Sequence, residues 1–174
     1  MNRFATIAAA CALALVGSVQ AADTDTTYSD QMFFTNAAIG GMAEVDAGKL
    51  ASAKGSSKEV RGFGQKMVSE HSKNNDELKQ LAAKKNVQLP ATTDAKHQEM
   101  LAKLQGLSGD AFDLAYAADM VKGHEDMAAL LARAARESKD ADVRTFATDT
   151  LAAVHMHHQL AVDLQQTEMA EATE

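Results

Sequence analysis

Residues 56–85 read SSKEVRGFGQKMVSEHSKNNDELKQLAAKK. Val60, Gly64, Met67, His71, Asn74, Leu78 and Leu81 alternate steps of four and three, which places all seven on one face of a helix with 3.6 residues per turn. Ser56 and Glu59 form the S-x-x-E capping box that opens such a helix, and Asn86 with Pro90 marks its end near Lys85. A stripe of this kind has to be buried against other elements. The stretch predicts a long helix inside a bundle, with His71 on its inward side.

The same rhythm recurs on both sides. Upstream, Ser29 caps a helix to about Lys54, and Ala37, Gly41, Glu44, Gly48 and Ala51 make a seam of small residues along it. Gly55-Ser56-Ser57 breaks the chain into a tight turn. Downstream, Thr93 opens a short helix to about Gln105. Ser108 caps a fourth, ending near Glu137, with Met120, His124, Met127, Leu131 and Ala134 in phase. Ser138-Lys139-Asp140 turns into a fifth that runs toward Glu168 and carries Val143, Ala147, Thr150, Val154, His157, Ala161 and Leu164. No window alternates as a strand would. Four long helices, two tight hairpins and one long connection over 86–108 predict an all-α antiparallel four-helix bundle. The crossover carries the short extra helix, which is the ferritin-like connection pattern. The bundle is expected over 29–168, after a loose lead-in at 22–28 and before a tail at 169–174.

The first residues read as an address. Met1-Asn2-Arg3 is a short positive start, Phe4 to Val19 is apolar, and Val19-Gln20-Ala21 has the small-x-small pattern of a cleavage site. A signal peptide over 1–21, cut after Ala21, is the expectation. The apolar run is shorter than the ~20 residues a membrane span needs, and Cys11 sits inside it rather than at its end, where a lipidated Cys stands. Removing these 21 of the 174 residues leaves 153, and Arg3 is the only charge lost with them. The mature chain then has 16 basic and 24 acidic side chains and no Cys. Such a chain has no basic surplus with which to bind nucleic acid or an anionic membrane surface. It also has no thiol for a disulfide, a nucleophile or a metal. A soluble periplasmic protein is expected, with no further membrane span.

Three of the four long stripes contain a histidine and the remaining one contains Glu44. His71 is the midpoint of 57–86 and His124 that of 109–137; His157 lies near the middle of 141–172, and Glu44 within about two residues, or ~3 Å, of the middle of 30–54. Antiparallel helices of similar length share a level at their midpoints. Glu44, His71, His124 and His157 are therefore expected to form one polar layer across the core. Two readings of it stand. Three imidazoles and a carboxylate are a competent ligand set for one Zn, Cu, Ni or Fe ion. They are equally a hydrogen-bonded network in which the four groups satisfy one another or a buried water.

Several runs together resemble a known family. Ala37 to Ala51 (AAIGGMAEVDAGKLA) is followed by Val60-Arg61-Gly62-Phe63 and by Met67-Val68-Ser69-Glu70-His71. Then come Leu107-Ser108-Gly109-Asp110-Ala111-Phe112-Asp113, Tyr116 and Met120-Val121-Lys122-Gly123-His124. In order and spacing these resemble the DUF4142 family of exported bacterial proteins over nearly all of 31–165. The resemblance implies a ferritin-like fold and an exported location, and no reaction. The closing motif of that family is similar to L-P-x-L-x-x-H. Here Leu151 to His157 matches it with Ala152 in place of Pro, so His157 is the corresponding histidine.

A ferritin-like fold does not bring di-iron chemistry with it. That chemistry needs Glu-x-x-His, because i and i+3 share a helix face. Val68, Val121 and Val154 stand three residues before the three histidines. Glu70 and Glu125 are sequence neighbours of histidines and point about 100° away on their own helices. Ferroxidase, oxygenase and catalase activities are excluded on that basis. His155 faces outward and His158 flanks the stripe, His97 falls on the short helix, and Met67 and Met120 read as core filler. Phe112 and Tyr116 pack inward and Asp113 serves the helix dipole. No catalytic set is complete. The expectation is an exported, non-enzymatic bundle acting as an envelope or stress-associated binding module. The alternative is a mononuclear metal-binding protein built on Glu44, His71, His124 and His157.

Overall fold

The computed structural model describes residues 27–173; the expected signal peptide and most of the lead-in lie outside the described residues. Five helices follow in order: α1 (Asp30–Lys54), α2 (Lys58–Lys84), α3 (Ala95–Gly106), α4 (Gly109–Glu137) and α5 (Ala141–Glu171). No strand occurs among the described residues. α1 packs along α2 and α4 along α5, the two pairs meet through α1 with α4 and α2 with α5, and α3 lies against α1 and α4. Partner residues show that neighbours run antiparallel. Gly41 faces Asn75, Gly48 faces Gly64 and Gly55 faces Val60 across α1 and α2. Asn74 meets Thr150 and Ser57 meets Glu168 across α2 and α5.

The small-residue seam works as its spacing implies. A Cβ on Gly48 would stand 2.8 Å from the Gly64 carbonyl, and one on Gly64 2.8 Å from the Gly48 carbonyl. Only two glycines let these backbones approach so closely.

Helix ends differ from the sequence reading in three places. Ser57, not Ser56, caps α2: its Oγ accepts from the Val60 amide at 3.0 Å. The Ser56 and Ser57 amides instead donate to the two oxygens of Asp113, at 3.0 and 2.7 Å. Asp113 thus leaves its own helix end and clamps the α1–α2 turn onto α4, because two orphan amides at a helix start are a better use of a buried carboxylate. Asp94 rather than Thr93 caps α3, accepting from the His97 amide at 3.0 Å. α5 continues to Glu171 and takes in the first residues of the expected tail. Asn86, at φ 56°, closes α2 in the left-handed conformation that Asn tolerates.

The apolar core falls into two clusters. One holds Phe33, Phe34, Leu78, Leu131, Val143 and Val154. The other holds Val60, Met67, Phe112, Tyr116, Met120 and Leu164. Along every long helix the boundary between them is a buried polar residue: Glu44, His71, His124 or His157. None of the described helices is long and apolar enough to cross a membrane.

Candidate metal centre

The three histidines come together from three helices. His71 and His157 have ring centroids 5.3 Å apart, His71 and His124 5.4 Å, and His124 and His157 5.5 Å. One ring nitrogen from each lies within 4.8 Å of the others, and it is the only such cluster of His, Cys, Asp and Glu among the described residues. All three side chains are buried, His124 completely. A tetrahedral ion about 2.0–2.1 Å from its ligands holds them roughly 3.3 Å apart, so the three rings draw together to close on an ion.

Hydrogen bonds fix which nitrogens are free. His124 Nδ1 lies 2.8 Å from the Met120 carbonyl, which can only accept, so Nδ1 carries the proton and Nε2 keeps its lone pair. His157 Nε2 lies 2.5 Å from Glu70 Oε2. Lys66 and then His157 hold the Glu70 carboxyl below its usual range, so it is an acceptor as well. In its neutral form His157 therefore has its lone pair on Nδ1. His124 Nε2, His157 Nδ1 and His71 Nε2 are buried with no hydrogen-bond partner. Burial pushes His71 down to about 3 and His124 down to about 4, so both rings are neutral, the form that binds metals.

Glu44 shares the level of the histidines but stands apart from their free nitrogens. Its Oε1 lies 3.7 Å from His124 Nδ1, the nitrogen already committed to Met120, and its Oε2 has no partner. Burial raises this carboxyl to about 8. Glu70 is the residue that sequence reasoning missed. It does point away from the α2 stripe, but toward α5, where it meets His157. The signal for it was Lys66 one turn earlier, which fixes Glu70 along the helix edge at 2.5 Å.

The remaining candidates lie elsewhere. His155 is exposed, and His158 is half-buried, 3.6 Å from Glu125. His97, in the first turn of α3, bonds the N-cap Asp94 at 2.6 Å. Met67 and Met120 are buried among core side chains, as filler would be. A cleft of about 470 Å³ reaches the centre from one side, lined by Glu70, His71, Asn74, Thr150, Val154 and His157.

The family model that matches the chain is described as a domain of unknown function (DUF4142), and it covers residues 16–164. No curated protein and no solved structure matches the chain.

Proposed function

The chain belongs to the DUF4142 family, a domain of unknown function, and from its three-histidine centre we propose that it binds a single divalent transition-metal ion. What carries this reading is the convergence of three buried, partnerless ring nitrogens from α2, α4 and α5. Direct hydrogen bonds among the rings do not account for them: His124 and neutral His157 both present lone pairs, and two acceptors cannot satisfy each other. A single buried water donating to both and accepting from His71 is the competing occupant, which titration with metal distinguishes. One cation between them satisfies all three.

The donor set narrows the ion. Three imidazoles without thiolate or a converging carboxylate suit Zn or Cu, with Ni and Fe next. The Met120 carbonyl and the Glu70 carboxylate orient two of the three rings, as outer partners of metal-binding histidines do. Glu44 belongs in this reading behind His124 rather than on the ion. Binding, rather than turnover, is the activity proposed, in a periplasmic protein released from its signal peptide after Ala21. The two antiparallel hairpins and the long crossover support a ferritin-like bundle as its frame.

Metal-free protein titrated with Zn or Cu tests the reading. The expected result is one ion per chain and a rise in melting temperature. At a hundredfold excess over Kd the gain is about 2.7 kcal/mol, or roughly 5–10 °C for a chain of this size. No bound ion and no shift with any of the four metals overturns it.

A further inference from the structure

A second cleft, of about 490 Å³, opens on the other side of the layer between α1, α3 and α4. Glu44 and Asp119 line it. Glu44 is 5% exposed, and its Oε2 and the buried Asp119 Oδ2 have no hydrogen-bond partner. Lys103 acts on Asp119 through its field without bonding that oxygen. Charges at the mouth are already paired: Asp94 with His97, and Asp126 with Lys122 and Lys96. Apart from Asn36, the rest of the wall is apolar, with Ile39, Met100, Met120, Met127 and Leu130.

Two buried, unpartnered carboxyl oxygens call for an ammonium group: it donates several N–H bonds, and its positive charge favours the ionised form of each carboxyl. Apolar walls call for a hydrocarbon body, and the volume is in the range of small-molecule sites. A metal ion fits less well, because no third His, Asp or Glu converges with these carboxylates among the described residues. We propose that this cleft binds a primary aliphatic amine, its ammonium on Glu44 and Asp119 and its chain against Ile39, Met100 and Met127. Gly123 makes the room: a Cβ there would stand 2.8 Å from Glu44 Oε1 and displace the carboxylate. His124 separates this cleft from the free histidine nitrogens, so amine binding does not depend on the metal reading.

Calorimetric titration of the metal-free full chain with n-pentylamine tests it, with 1-pentanol and pentanoate as controls. One saturable amine site per chain is expected, with no heat from either control. Asp119→Asn and Gly123→Ala should each weaken the amine by roughly tenfold or more, the effect of removing a charged hydrogen bond. Asp119→Asn should keep its thermal melt and its metal stoichiometry, which separates the two sites. Absence of saturation at millimolar amine, equal binding of 1-pentanol, unchanged affinity in a folded Asp119→Asn, or displacement of the amine by Ca or Zn ions would each overturn the assignment.

Discussion

Glu70 and His157 meet across the α2–α5 interface at 2.5 Å, and Lys66 holds the same carboxylate from its own helix. The contact fixes the tautomer of His157 and turns its other nitrogen inward. Loss of such an outer partner typically lowers metal affinity by about 10–100-fold. Glu70→Gln is therefore expected to weaken metal binding by that factor and leave stoichiometry at one. Because the carboxylate is more than a third exposed, the fold should barely notice. Competition titration against a chelator reads the affinity, and a thermal melt of the metal-free variant reads the fold. Unchanged affinity would remove Glu70 from the centre.

His71 separates a metal site from a structural network. Its Nε2 is buried without a partner, a state that costs about 1–3 kcal/mol. Leucine has nearly the same volume and no polar atom. His71→Leu should therefore raise the stability of the metal-free protein by about 1 kcal/mol or more, and abolish the stabilisation that Zn or Cu gives the parent. A network would behave oppositely, losing stability when a member is removed. Chemical denaturation with and without chelator distinguishes the outcomes.

Sequence periodicity carried the helices, the antiparallel pairing and the level of the polar layer, because all three depend on spacing along single helices and on turn positions. His71, His124 and His157 were legible for that reason. Rotation about each helix was less so. Glu44 was at the right height, yet its carboxyl faces the α1–α4 side of His124, a matter of a few ångströms that helix midpoints do not encode. Glu70 was read against its own stripe, whereas its role comes from the neighbouring helix. Asp113 shows the same lesson at the bundle end: a dipole partner by sequence position, it is in fact bonded to two amides more than fifty residues away.

The layer should give the metal-free protein a stability maximum near pH 6.5. Below that value the unfolded chain protonates its histidines, while burial holds His71 and His124 neutral down to about 3 and 4. The unfolded state binds more protons there, so stability falls as pH falls. Glu44 acts in the opposite sense. Burial keeps it protonated up to about 8, so between its unfolded pKa and that value the folded state binds more protons, and stability falls as pH rises. The two histidines outweigh Glu44 on the acid side, and Glu44 stands alone above 6.5. Slopes are on the order of 1 kcal/mol per pH unit. Urea midpoints measured in chelator from pH 5 to 8 should trace the maximum. Glu44→Gln should flatten the alkaline limb and steepen the acid one, where Glu44 no longer opposes the two histidines.

Two glycines in α2 should respond to alanine with opposite signs. Gly62 faces open space, with nothing within 4 Å of an added Cβ. There the helix propensity of alanine acts alone, and Gly62→Ala should stabilise by about 0.5–1 kcal/mol. Gly64 has the same intrinsic preference, but its Cβ would stand 2.8 Å from the Gly48 carbonyl, the Ser52 amide and the Ala51 Cβ. Backbone atoms of α1 cannot rotate aside as a side chain can, so the two helices must separate. Overpacking of this kind costs about 1–3 kcal/mol, more than the propensity returns. Gly64→Ala should therefore lower the melting temperature by several degrees and, by spreading α1 from α2 about two turns from His71, loosen metal binding as well. A stabilised Gly64→Ala variant would mean that the seam is not where the bundle is tightest.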